Sequence, residues 1–313
     1  MMKNEICPVP WEDLPAVLEF ANRQFSTDLG RLQPHLYGYP DAGTTYGCFS
    51  DEKLVGMLSV YPYRYRGLHG LSIGTVCTDI NSRGRGIMGT LFTYLEHAVF
   101  PDYDLLTLAG RKERYERFGF AKALCFPEYQ FYPARDSRAV EVYPVNGAEA
   151  NEMLFSLFVQ YGNGVVRRRS RMVDILTSGG NTLYLLQQGS KISYVSCRKR
   201  DRVVTEYCGT LLITDVVAAL SRLWGEGKIT VRGVHNSLEP ELLRVCDSYT
   251  IRNHGNIRIN HGNKVIAELS EGRPSLECEG VLPLEETYAL FGYGAYRPPD
   301  CTIPSSLLYL DGI

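Results

Sequence analysis

A short apolar run, Leu71–Thr78, leads into Arg83-Gly84-Arg85-Gly86-Ile87-Met88-Gly89 and then into a stretch carrying Ile87, Leu91, Leu95 and Ala98 on one helical face. Strand, glycine-rich turn and helix, in that order, constrain the fold more than any other feature of the chain. Glycine enters backbone conformations closed to other residues and lets a ligand approach the main chain. The free N–H groups at the start of the helix then point at whatever sits on the turn, and the helix dipole favours an anion there. Arg83 and Arg85 add positive charge to the same turn. Taken alone, the pattern favours a solvated turn with two surface arginines. What surrounds it decides between the two.

The surrounding sequence alternates strand and helix patterns. Trp11–Phe25 spaces Leu14, Val17, Leu18, Ala21 and Phe25 three and four apart, the period of an amphipathic helix. Thr45–Ser50 and Lys53–Tyr65 read as a β-hairpin turning at Asp51-Glu52. After the glycine turn and its helix come a strand at Asp104–Leu108, a short helix at Lys112–Phe118, and strand character from Phe120 through Tyr129 and Phe131. The texture changes at Pro133–Pro144. Beyond it the same order returns, with a helix at Ala148–Tyr161, a hairpin through Leu183–Gln187 and Lys191–Cys197, a strand at Val203–Cys208, and a helix at Asp215–Trp224. This predicts a mixed α/β (α+β) chain built by internal duplication. The expected domains are residues 1–135, a second, degenerate copy at 140–230, and a small strand-rich segment at 231–313 with an apolar patch at Leu282–Phe291. The second copy has Gly209-Thr210-Leu211-Leu212 where the first has its arginine–glycine turn.

With 313 residues, 44% of them hydrophobic and 22% charged, the chain can build more than one core. A net charge of −2 offers no overall field toward nucleic acid or anionic membranes, so neither is expected as a partner. No run approaches the roughly 18 apolar residues of a membrane span, and Met1–Glu5 opens on polar sequence without a leader's apolar stretch. Nine cysteines, scattered singly, read as reduced thiols of a cytoplasmic protein, and neither they nor the six histidines are spaced for a metal. Two basic runs, Arg167–Arg171 and Arg198–Arg202, read as a solvated face or as ion pairs across a domain boundary rather than a surface for RNA, anionic lipid or an acidic protein, because no aromatic interleaving accompanies them.

Arg83-x-x-Gly86 after a strand, with the helix that follows, resembles motif A of the GNAT acetyltransferases. Met88 stands where a small residue is usual and Gly89 follows it. Tyr115-Glu116-Arg117-Phe118-Gly119-Phe120 is similar to a second segment of the branch typified by the enhanced-intracellular-survival proteins. The two segments fall in the right order and cover residues 10–130. The resemblance implies a duplicated GNAT-type fold in shortened form, acetyl-CoA as co-substrate, no metal, and a primary amine of a small molecule or peptide as acceptor. It leaves homo-oligomer formation open.

The resemblance also implies roles for particular residues. Backbone groups of Val76, Cys77 and Thr78 would meet the pantetheine arm, and one N–H would polarise the thioester carbonyl. Residues Arg83, Gly84, Arg85, Gly86, Ile87, Met88 and Gly89 would hold the pyrophosphate, with Gly110 and Arg111 on the other side of the cofactor. Tyr115 stands at the position of the general acid, which protonates departing CoA. For the general base the candidates are Asp28, Glu128 and, by resemblance, the C-terminal carboxylate of Ile313. Cys77 invites an acyl-cysteine intermediate, but no histidine lies near it in sequence and direct transfer is preferred. Two classes of function stay open: an N-acetyltransferase, and a non-catalytic acyl-CoA sensor on the same scaffold.

Overall fold

A computed structural model describes residues 4–65, 68–132, 140–161, 167–232 and 239–261. They divide into two compact units, the first holding residues up to 123 together with those from 255, the second holding 124–254.

In the first unit the chain runs β1 (Asn4–Pro8), α1 (Leu14–Phe25), the single turns α2 (Leu29–Leu32) and α3 (Pro34–Tyr37), β2 (Thr44–Ser50), β3 (Lys53–Tyr65) and β4 (Leu68–Thr78). It continues through α4 (Ile87–Ala98), β5 (Leu105–Ala109) and α5 (Lys112–Tyr115). In the second unit follow β6 (Ala121–Phe131), β7 (Glu141–Val145), α6 (Asn151–Tyr161), α7 (Met172–Thr177), β8 (Thr182–Gln188), β9 (Lys191–Arg198), β10 (Val203–Gly209), α8 (Ile213–Trp224), β11 (Ile229–Val231) and α9 (Glu239–Val245). The last described strand is β12 (Ser248–Ile259).

The sheet of the first unit has the order β1-β2-β3-β4-β5-β12, antiparallel except for the parallel pair β4–β5. That of the second is β7-β8-β9-β10-β11-β6, again with one parallel pair, β10–β11. A parallel pair needs a crossover, and in both units a 12-residue helix supplies it. The duplication expected from sequence is therefore visible strand by strand. The domain limits of 135, 140 and 230 do not coincide with the units. Residues 129–131 of β6 pair with β11 inside unit 2, and residues 255–259 of β12 pair with β5 inside unit 1. Each sheet thus ends on a strand that follows the other unit's parallel pair in sequence, an exchange that local patterning cannot reveal. The edge strand β1 also escaped the pattern, being five residues of weak alternation ending in Pro8. Residues 133–139, the patch Leu282–Phe291 and Ile313 lie outside the described residues.

α4 buries Ile87, Leu91, Phe92 and Leu95 against Leu58, Leu71, Ile73 and Leu106. α1 buries Leu14, Val17, Phe20 and Ala21 in a separate cluster with Met57, Tyr61 and Cys77. A strict two-residue period would put Cys77 on the same face as Leu71 and Ile73. A β-bulge prevents this: Met57 faces Cys77 and Ser59 faces Gly74, so Thr75 and Val76 together oppose Leu58. Thr75 takes the extra place at φ 52°, and beyond it the side chains change faces. Val76 packs on the α4 cluster and Cys77 on the α1 cluster.

Candidate active site

β4 and β5 pair only from Gly70–Leu105 to Ile73–Leu108. Beyond Ile73 β4 runs on to Thr78 without a partner in β5, so the two parallel strands part at the bulge. The stretch Gly74–Thr78 keeps β3 on one edge and has no ladder to β5 on the other. Val76, Cys77 and Thr78 sit on this parted stretch.

The parted strand points its chain at the arginine–glycine turn. Gly84 and Gly86 adopt φ 77° and 78°, and a methyl group on either would meet nothing within 4 Å. Glycine is favoured there by the backbone alone. Both glycines face open space, as do the exposed Arg83 and Arg85. Gly86 is the N-cap of α4 and carries no side chain to satisfy the helix's first N–H groups. Ile87 is 4% exposed and anchors that first turn in the core, so only its main chain faces the turn. Met88 packs on the α4 cluster, and the Gly89 α-carbon faces Arg117.

Tyr115 ends α5 and is 6% exposed. Its ring lies 5.7 Å from Phe92 of α4 and 6.5 Å from Phe120, while Phe118 stacks on Phe92 at 4.4 Å. Burial raises its pKa, opposed by the charge of Arg114, so the phenol keeps its proton at neutral pH. Gly110 has φ 147°, and a Cβ on it would stand 2.6 Å from Cε2 of Tyr115. The glycine therefore admits the tyrosine ring. The Gly110 carbonyl accepts a hydrogen bond from Nδ2 of Asn256 at 3.1 Å, and Arg111 is exposed beside it.

Residues that sequence reasoning missed cluster at the bulge. The hydroxyls of Tyr37 and Thr75 are hydrogen-bonded, with those of Tyr61 and Ser59 beside them. No sequence pattern marks Thr75, because its positive φ is imposed by the bulge. Of the carboxylates considered as bases, Asp28 caps α2 by accepting from the Arg31 N–H at 3.0 Å. Glu128 belongs to unit 2, where it is 4% exposed and paired with Arg232 at 2.5 Å.

Burial pushes the Cys77 thiol up to about 12, against the opposing charge of Arg83. At pH 8 that leaves a thiolate fraction of about 10⁻⁴. Iodoacetamide is expected to label the half-exposed Cys7 and Cys246 well before Cys77 at pH 8. Peptide mapping by mass spectrometry checks this; early labelling of Cys77 would restore the acyl-cysteine route.

In unit 2 the corresponding parts are filled. β10 carries its own bulge at Thr205, but only Thr210–Leu212 separate it from α8, against eight residues between β4 and α4. The Thr210 N–H donates to the Ile192 carbonyl and the Leu211 N–H to Oγ of Ser193. The basic runs are largely engaged within this unit. Arg167 and Arg171 are buried, Arg169 pairs with Glu152, and Arg202 donates to the carbonyls of Trp224, Gly225, Gly227 and Lys228. Among the described residues no group of His, Cys, Asp or Glu could hold a metal ion, and no helix is long and apolar enough to cross a membrane.

Residues 6–123 match the family model of the acetyltransferase (GNAT) domain. This part of the chain is a GNAT acetyltransferase domain. Acyltransferase is the class of enzyme that goes with it. The fold likeness extends over both units. A probable N-acyltransferase from Enterococcus faecalis matches with a TM-score of 0.64 at 16% identity, over 83% of this chain and 73% of that one. A GCN5-related N-acetyltransferase from Anabaena variabilis gives 0.61 at 15%, over 87% and 75%. Eis1 from Mycobacterium abscessus gives 0.58 at 14%, over 85% and 76%. No curated protein matches the sequence.

Proposed function

We propose that unit 1 transfers acetyl from acetyl-CoA directly to a primary amine of a small molecule or peptide. The observation that carries this reading is the parting of β4 from β5 beyond Ile73, immediately before the glycine turn that opens α4. The turn from Arg83 to Gly89 would take the pyrophosphate on its N–H groups, and the free edge of Val76–Thr78 would take the pantetheine amides. Gly110 and Arg111 would close the other side. A main-chain N–H at the bulge would hold the thioester oxygen as charge develops on it.

The amine nitrogen attacks the thioester carbon, the C–S bond breaks, and the nitrogen sheds a proton to solvent. Tyr115 gives its proton to the departing thiolate and regains one from water. A protonated phenol against α4 suits this role; a pure acyl-CoA sensor would have no use for an acid there. Unit 2, with its short loop before α8, would bind no cofactor.

Isothermal titration tests the cofactor assignment. Wild type should bind one acetyl-CoA per chain, and Gly86→Glu none that is measurable. Gly86→Ala adds the same left-handed strain, about 1 kcal/mol, without bulk or charge. It should keep binding within about tenfold. Unchanged affinity in Gly86→Glu would place the cofactor elsewhere, and two sites per chain would give unit 2 a cofactor of its own.

A further inference from the structure

The same domain contains a cavity of about 150 Å³ lined by residues from its N-terminal half. Trp11, Leu36, Tyr37, Tyr39 and Tyr61 all contribute to the wall. Tyr37 joins this cavity to the parted strand: its ring lines the wall while its hydroxyl meets Thr75 at the bulge. At the other extreme Trp11 is 42% exposed, an unusual degree for a tryptophan that lines a cavity. No Asp, Glu, Lys or Arg lines it among the described residues. Its polar groups are neutral. Burial holds the phenols of Tyr37 and Tyr61 above their ordinary pKa, and the other hydroxyls of the lining belong to Tyr39, Thr44 and Thr45.

These properties select a chemistry. A buried ammonium without a counter-charge is strongly disfavoured, so an acceptor with several cationic groups gains nothing from this wall. An apolar ring loses water against the aromatic part of the wall and gains. An engineered apolar cavity of similar volume takes one benzene. We propose, building on the transferase reading above, that this cavity receives the apolar side chain of the acceptor, a monoamine carrying one group of about benzene size. Its amino group would then lie at the Tyr37–Thr75 end, and the wall would discriminate against polyamines and amino sugars.

Trp11 provides a readout independent of catalysis. The chain has two tryptophans, and Trp224 belongs to unit 2, so Trp224→Phe leaves Trp11 as the single emitter. In that background 2-phenylethylamine should change the Trp11 emission saturably, and spermidine should not. In a thiol-release assay with acetyl-CoA, kcat/KM for 2-phenylethylamine should exceed that for ethylamine and for spermidine by about 10–100-fold. Thr44→Phe, which fills the cavity from β2, should remove this preference while acetyl-CoA still titrates normally; Val9→Phe fills it from the other side should the first variant fail to fold. Spermidine turned over as well as 2-phenylethylamine, or a preference untouched by filling, would overturn the assignment and leave the transferase reading intact. Absence of acetyl-CoA binding by wild type would instead remove that reading, and the Trp11 titration would still decide whether the cavity takes the amine.

Discussion

Tyr115→Phe is expected to lower kcat and kcat/KM together, by about 10²–10⁴-fold, with little change in acetyl-CoA affinity. The ring packs against Phe92 and Phe120, with Phe118 stacked on Phe92, and phenylalanine preserves that packing while deleting the proton. Burial keeps the phenol protonated, so the wild-type rate should not fall at mildly alkaline pH through loss of this acid. A thiolate leaves without help at some rate, which is why the effect has an upper bound. Stopped assays with acetyl-CoA and an amine measure it, alongside a thermal melt as the control. Turnover at the wild-type rate would reduce Tyr115 to a packing residue. A lowered melting temperature or lost cofactor binding would make its role structural.

Glu206→Gln should destabilise unit 2 by about 3–5 kcal/mol. Arg167 donates to both oxygens of Glu206, at 2.6 and 2.9 Å, and Tyr194 donates to Oε1 at 2.7 Å. The guanidinium also lies over the Phe158 ring at 4.4 Å, and its side chain is 2% exposed. Such a pair is weak evidence of net stabilisation, because both ions give up their hydration. Removing one partner is a different matter, since a full charge then stays buried without compensation. A unit of this size should lose on the order of 10 °C from its melting transition. Arg167→Met combined with Glu206→Gln removes both charges and should recover at least half of the loss. If the single variant melts like wild type, Arg167 is neutralised by another route and the pair does not hold the unit together.

This pair also shows how a sequence signal can be read in the wrong medium. The run from Arg167 to Arg171 has the composition of a solvated basic face, yet its first and last arginines are buried. The carboxylate partner of Arg167 is 39 residues away, in the strand that corresponds to β4. Periodicity and turn chemistry are local, so they served well for α4, the β2–β3 hairpin and the glycine turn. They also carried the repeat of that order in the second unit. They could not place Asn256, which meets Gly110 across 146 residues, or the hydroxyl group around Thr75.

Two kinds of information separate here. Backbone conformational preference is written residue by residue: Gly84 and Gly86 stand in left-handed turns because other residues are disfavoured there, and an apolar stripe from Ile87 to Leu95 makes α4 whatever lies around it. These local properties determined the strand–turn–helix unit, the doubling of the domain and the candidate site at the turn. Pairing between distant strands follows no local rule, because every strand offers the same row of N–H and C=O groups to any neighbour. Tertiary structure alone therefore decided that β12 closes the first sheet and β6 the second, and that β4 leaves β5 at Ile73. It alone flipped Cys77 to the α1 face through one extra residue in the ladder. The same freedom brought Trp11, Tyr37 and Tyr61, from three separate elements, around one uncharged cavity, since their packing depends on the shape of the whole core and not on their spacing in the chain.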